Sequence, residues 1–175
     1  MADGPSEPER LHAPWRMEYV EKTVQPSGEC IFCEKPRQQC DQANYIVYRG
    51  EFNYVILNVF PYNSGHLMVI PYQHTADLTE LPLATQAEMM RLTTLAVVAL
   101  KRVMRPDGFN VGMNIGRPAG AGIADHLHLH IVPRWSGDTN FMPVIGNTRV
   151  LPESLERTWE KIRAAFLEVV SEECG

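Results

Sequence analysis

The alternation of apolar and polar positions divides the chain into strand-like and helix-like runs. Residues 1 to about 12 read as a solvated tail, and residues 13–43 as an irregular arm in which Pro, Gln and Gly interrupt a few aromatics around Cys30-Ile31-Phe32-Cys33. From residue 44 onward the pattern becomes regular, in one domain that continues to residue 175. Tyr45–Tyr48, Tyr54–Leu57 and His66–Ile70 are β-branched or aromatic runs bounded by Gly50, Asn53, Gly65 and Pro71, the mark of short strands. Pro61-Tyr62-Asn63-Ser64-Gly65 is turn chemistry and predicts a hairpin between the second and third runs.

Leu83–Met104 places Met89, Leu92, Ala96, Ala99, Leu100 and Val103 on one stripe of 3.6-residue period, a helix packed on a sheet that ends at Arg105-Pro106-Asp107-Gly108. Phe109–Ile115 predicts a fourth strand, Gly116–Gly122 a glycine-rich loop, and Leu127–Val132 a fifth strand. Pro152 is expected to open a last helix, with Glu153 and Glu156 in its first turn and Leu155, Trp159, Ile162 and Phe166 on its buried side. Strands, helix, strands and helix joined by short connections predict an α+β domain with an antiparallel sheet, not a βαβ repeat.

Composition narrows the function classes. At 45% apolar residues the chain can bury a core. The net charge of −5 comes with no basic stripe, which argues against electrostatic binding of nucleic acid and requires local groups to hold any polyanionic ligand. The longest apolar stretch, Leu95–Leu100, is far short of the ~20 residues that cross a bilayer. Met1–Arg10 is acidic and Pro-rich without an apolar signal core, so a cytoplasmic, reducing location is expected. Among the four cysteines, Cys30, Cys33, Cys40 and Cys174, that setting favours metal binding over a disulfide for the close pair.

Three of the six histidines fall in one run, His126-Leu127-His128-Leu129-His130-Ile131. In an extended segment alternate side chains share a face, so Leu127, Leu129 and Ile131 turn to the core. The three imidazoles then line the opposite, exposed face at steps of ~6.6 Å. A solvated polar face and a metal cluster are the competing readings of this row.

The run His-x-His-x-His followed by hydrophobic residues resembles the histidine triad (HIT) superfamily. Asn63-Ser64-Gly65-His66 with Leu67–Pro71 resembles the family's Pro-Gly-His strand, with Ser64 where proline is usual, and Asn114 precedes the glycine-rich loop as in that family. The resemblance runs from about Ile31 to Trp135. His130-Ile131-Val132-Pro133-Arg134-Trp135 and the Pro14–Tyr19 arm are most similar to the diadenosine tetraphosphate phosphorylase branch.

The resemblance implies a five-stranded antiparallel sheet carrying one long helix and a C-terminal helix, assembled as a homodimer. It implies an enzyme in which His128, uncharged and unprotonated at Nε2, attacks the α-phosphorus of a bound purine nucleotide while His130 hydrogen-bonds a phosphoryl oxygen. Inorganic phosphate or water would release the nucleotide. Substrate contacts are implied for Phe32 at the base, Asn58 at the ribose, Asn114 at ribose and phosphate, and the backbone of Gly120, Gly122 and Ile123 at the phosphates. Gly122-Ile123-Ala124 departs from the family's Gln-Ser or Gln-Thr, so handling of the leaving group must differ.

Zinc-bearing members also imply a structural Cys₂His₂ zinc site of Cys30, Cys33, His74 and His126. Unligated cysteines, or Cys40 standing in for one ligand, are the alternatives, and a redox pair is disfavoured because Cys30 opens no predicted helix. Other readings of the same histidines are a nucleoside phosphoramidase or adenylate-conjugate hydrolase, and a non-catalytic purine nucleotide-binding module. A Mg²⁺-dependent pyrophosphohydrolase lacks its glutamate cluster, and a P-loop kinase lacks its Gly-Lys-Ser/Thr turn.

Overall fold

A computed structural model describes residues 30–138 and 153–173. Five antiparallel strands form one sheet: β1 (Ile46–Arg49), β2 (Asn53–Leu57), β3 (Leu67–Pro71), β4 (Gly108–Met113) and β5 (Leu129–Arg134), in the order β1-β2-β3-β5-β4. Helix α1 (Ile31–Arg37) and the single turn α2 (Asp41–Asn44) precede the sheet. Helix α3 (Leu83–Met104) lies between β3 and β4, and α4 (Leu155–Glu173) closes the described chain. The expected α+β architecture is present. Among the described residues, no helix is long and apolar enough to cross a membrane.

Each face of the sheet carries its own apolar cluster because strand side chains alternate. Val47, Val55, Leu57, Leu67 and Val69, together with Leu127, Leu129 and Ile131, meet Leu92, Ala96, Ala99 and Leu100 of α3 and Trp159, Ile162 and Phe166 of α4. The opposite face gathers Ile46, Tyr54, Ile56, Met68 and Ile70 under Phe32 of α1. Met68 pairs with His130 across β3 and β5, so the histidines share this second face.

Several boundaries differ from those expected. The arm is not irregular where it is described: Cys30 adopts extended backbone and starts α1, against the expectation that it opens no helix. Burial of Phe32 and a hydrogen bond from Tyr54 Oη to the Phe32 carbonyl (2.8 Å) hold this short helix on the sheet. The fourth strand runs Gly108–Met113, and the fifth starts at Leu129, because only from there does it find hydrogen-bonded neighbours on both sides. Helix α4 starts at Leu155, where the Thr158 N–H donates to the Ser154 carbonyl. Residues 1–29, Pro152 and Cys174 lie outside the described residues.

The two sheet edges are treated differently. At β1, Trp159 Nε1 donates to the Ile46 carbonyl (3.0 Å), and Arg163 Nη1 donates to the carbonyls of Ile46 (3.1 Å) and Val47 (2.8 Å), so α4 occupies outward-facing acceptors. At β4 no strand lies beyond, among the described residues, and Val111 and Ile115 are exposed.

Glu88 of α3 ties the long helix to the β1–β2 turn. Its carboxylate accepts from the backbone N–H of Glu51 (2.7 Å), Phe52 (2.8 Å) and Asn53 (2.8 Å) and from Asn53 Nδ2 (2.8 Å). Gly50 leaves room for it, since a Cβ there would stand 2.6 Å from Glu88 Oε1. Partial burial pushes the carboxyl pKa up, but these four donors pull harder and hold it below the ordinary value. The depressed pKa means the contribution is present above the unfolded pKa of about 4.3 and disappears as pH falls through the folded one. Glu88→Gln is therefore expected to cost about 1–2 kcal/mol in urea unfolding at pH 7, and the gap to the unaltered protein should narrow as pH drops through the carboxylate range. A gap constant with pH would assign the effect to packing.

Candidate active site

The segment from His126 to Ile131 alternates as its sequence requires. Leu127, Leu129 and Ile131 enter the helix-side core, and His126, His128 and His130 project to the other face. That face is not open, and the expectation of an exposed histidine row is corrected: His128 is 6% exposed, and His126 and His130 are also buried. The reason is the arm helix. Phe32 packs against the rings of His128 (centroids 5.2 Å apart) and His126 (5.7 Å), and Ile123 of the glycine-rich loop joins the same cluster.

Hydrogen bonds to groups of known polarity define which nitrogen of each ring holds the proton. His128 Nδ1 lies 2.8 Å from the His126 carbonyl, an oxygen that can only accept, so Nδ1 carries hydrogen and Nε2 keeps its lone pair. This is the arrangement a nucleophilic imidazole needs. Burial lowers the His128 pKa, outweighing the opposing effect of that hydrogen bond, which favours the neutral ring at pH 7.

His66 is a site residue whose role the sequence did not reveal. It is completely buried, and its Nδ1 accepts from the Tyr62 backbone N–H (3.0 Å). The remaining proton therefore sits on Nε2, which donates to His130 Nδ1 (2.9 Å). His130 is thereby left with its own proton on Nε2, as a donor. Asn58 belongs to the same group: its Oδ1 accepts from the Phe60 N–H (2.9 Å), and its Nδ2 lies 3.3 Å from His66 Nδ1.

Asn114 leaves β4 beside the triad. Met113 pairs with Leu129, so the next positions along that register are Asn114 and His128. In the glycine-rich loop, the Gly120 N–H donates to the Arg117 carbonyl (2.9 Å) and the Ala121 N–H to the Gly116 carbonyl (3.4 Å). Those two donors are therefore engaged within the loop itself. Contacts thus run from Ile123 through Phe32 to His126 and His128, and from His130 through His66 to Asn58.

Cys30, Cys33, His74 and His126 converge beside it, each offering one ligand atom within 4.8 Å of the others. Cys30 Sγ lies 3.3 Å from His126 Nδ1, Cys33 Sγ lies 3.4 Å from His74 Nδ1 and 3.5 Å from His126 Nδ1, and the two Nδ1 atoms are 3.2 Å apart. Tetrahedral zinc with bonds of about 2.0–2.3 Å separates its ligands by roughly 3.3–3.8 Å, and these four separations lie close to that range. His126 Nε2 donates to the Pro71 carbonyl (2.9 Å), which leaves Nδ1 unprotonated toward the cluster. Burial pushes the His126 pKa down to about 4, and the ring is neutral as a ligand must be. Cys40 is exposed and is not a member of the group. A recess of about 350 Å³ lined by Cys33, Pro36, Arg37, Gln39, Arg49 and Tyr72 borders this cluster, not the triad.

The tautomers are open to measurement. Long-range ¹⁵N–¹H correlation spectra at pH 7 are expected to show His128 protonated at Nδ1, and His66 and His130 protonated at Nε2. An Nε2–H tautomer of His128 would remove the nucleophile from this site.

Comparisons with known proteins bear on the family and the fold. The family model described as "HIT domain" matches residues 39–137. A protein of Mycobacterium tuberculosis described as "AP-4-A phosphorylase" is 43% identical over 157 residues, covering 86% of this chain and 80% of the relative. Among solved structures, a Zn-bound histidine triad family protein from Mycobacterium smegmatis superposes with a TM-score of 0.66 at 31% identity, covering 83% of this chain and 99% of that one. A hypothetical histidine triad nucleotide-binding protein from Sulfolobus tokodaii gives 0.63 at 29%, covering 82% and 93%. With the paired strands, the alternating histidines and these relatives in agreement, the chain belongs to the histidine triad (HIT) family.

Proposed function

We propose that this protein is a diadenosine polyphosphate phosphorylase that works through a covalent nucleotidyl-histidine. The observation carrying this reading is the 2.8 Å hydrogen bond that leaves His128 with a free Nε2 lone pair. The 43% identity to a protein described as AP-4-A phosphorylase favours this substrate class and phosphate as acceptor. His128 Nε2 attacks the α-phosphorus, a P–N bond forms, and the P–O bond to the rest of the polyphosphate breaks. With diadenosine tetraphosphate the leaving group is ATP. An oxygen of inorganic phosphate then attacks the adenylylated histidine, the P–N bond breaks, and ADP departs. Water in place of phosphate would give AMP, the hydrolase outcome.

The surrounding residues serve that chemistry. His130, held by His66, donates from Nε2 to a non-bridging oxygen as charge gathers there, and the N–H groups of Gly122 and Ile123 cradle the phosphates. Phe32 contacts the base, and Asn58 and Asn114 the ribose and phosphate. Because His128 is 6% exposed, part of its cover, Phe32 or the glycine-rich loop, must yield as the nucleotide enters, and the transfer then proceeds away from bulk water.

Cys30, Cys33, His74 and His126 would hold zinc in a closed, structural site that fastens the arm to the sheet. A structural ion supplies cross-linking and no open coordination position. A homodimer formed across the β4 edge and α3 fits the exposed Val111, Ile115 and Met90.

Incubation with diadenosine tetraphosphate is expected to yield ADP and ATP only when inorganic phosphate is added; phosphate-independent AMP would indicate a hydrolase. His128→Asn should lower turnover by more than about 1,000-fold while AMP binding survives, and full activity in that variant would end the covalent reading. Metal analysis is expected to find about one zinc per chain, lost together with thermal stability in Cys33→Ser. A variant that keeps its metal would exclude Cys33 as a ligand.

A further inference from the structure

We infer that the recess beside the metal cluster is a binding site for the phosphate group of a small molecule, separate from the triad. Its volume of about 350 Å³ is that of a small-ligand site, and Cys33, Pro36, Arg37, Gln39, Arg49 and Tyr72 line it. Three elements meet there: α1 brings Pro36 and Arg37, β1 brings Arg49, and Tyr72 directly follows β3. Arg37 is exposed and has no ion-pair partner among the described residues. Arg49 is held in place: its Nε and Nη2 each lie 2.8 Å from Asp41 Oδ1, and its Nη1 donates to the Pro36 carbonyl (2.8 Å). Asp41 is shared with Arg163 (3.7 Å), so this one carboxylate already stands against two guanidinium groups before Arg37 is counted. These four side chains together carry a positive balance in a chain of net charge −5, where an anion must be held by local groups.

The end of a helix ordinarily repels an anion, because its last carbonyls carry partial negative charge. At the end of α1 those carbonyls are occupied. That of Lys35 accepts from the Gln38 N–H (3.3 Å) and from Asn44 Nδ2 (3.3 Å), and that of Pro36 accepts from Arg49. Gln39 then takes a left-handed backbone, φ 52°, which is uncommon for a residue with a side chain, and it joins the lining. Burial raises the Tyr72 pKa against the opposing pull of Arg49, so the phenol stays protonated and able to donate. Donors on α1, β1 and the residue after β3 suit a tetrahedral oxyanion better than a planar carboxylate, and a guanidinium fork matches a pair of phosphate oxygens. A ligand held there bridges α1 to the sheet, and so steadies the helix that presents Phe32, Cys30 and Cys33.

The test is a titration of the full chain followed in ¹⁵N–¹H spectra, reading the Gln39 backbone N–H and the Nε–H signals of Arg37 and Arg49. AMP and inorganic phosphate serve as separate probes, and adenosine, which lacks the phosphate, as the control. Saturable shifts of these signals with a phosphate-bearing probe are expected, and none with adenosine; the tighter of the two probes identifies the occupant as an ester or as the free ion. Arg37→Glu is expected to weaken this binding by about tenfold or more, and Arg37→Lys to retain part of it. Any response of the Ile123 and His128 signals to AMP should be the same in both variants as in the parent, which separates the recess from the triad. Shifts that do not saturate with either probe, or an affinity unchanged in Arg37→Glu, would overturn the site. Saturation at the recess without any response at Ile123 and His128 would support it while counting against the nucleotide reading of the triad.

Discussion

His126 joins the candidate metal cluster to the candidate nucleophile, and most of the site depends on that junction. Its ring is clamped by the Pro71 carbonyl on one side and faces Cys30, Cys33 and His74 on the other. Its own carbonyl, two residues from His128, sets which nitrogen of that ring carries hydrogen. A rotation of the His126 backbone would disturb the cluster and turn the acceptor away from His128 in one movement. The three histidines therefore differ in chemistry because their neighbours differ: a ligand-type ring, a ring with a free Nε2 lone pair, and a donor ring supplied by His66.

Burial of these imidazoles is compatible with reactivity because each polar nitrogen discussed has a specified partner or purpose. A neutral ring avoids the large cost of an isolated buried charge, and the low polarity around His128 would strengthen the electrostatic contacts of the proposed transfer. The covering helix α1 thereby plays two parts, presenting Cys30 and Cys33 to the cluster and Phe32 to His126 and His128. One short element, stabilised by packing far more than by its length, joins the candidate metal cluster and the proposed nucleotide region.

The scaffold beneath is organised to keep this face in register. Glu88 fixes the β1–β2 turn to the long helix, α4 occupies the β1 edge, and Gly65, at φ +74°, turns the chain into β3 directly behind His66. The β2–β3 loop then carries Asn58, Phe60 and Tyr62 past the triad and is anchored by Asn63 on Asp138. Among the described residues no strand lies beyond β4, whereas Trp159 and Arg163 of α4 occupy acceptors on the β1 edge.

Local periodicity alone determined the parts of this protein whose physics is local. The 3.6-residue stripe marked α3 over Leu83–Met104, the residues later found in that helix, and left-handed Arg105 followed by Pro106 ends it as expected. The two-residue alternation around His126–Ile131 separated core leucines from the imidazoles before any contact was known. Tertiary structure decided what lies on the imidazole face. Helix α1 contains Pro36 and spans only 7 residues, so its sequence carries a weak helical signal, and docking of Phe32 on the sheet stabilises it. The His66–His130 bond joins residues 64 positions apart, and the Asn63–Asp138 anchor joins residues 75 apart. No local pattern encodes such pairings, because they arise only when β3 lies beside β5 and the two strand ends meet in space.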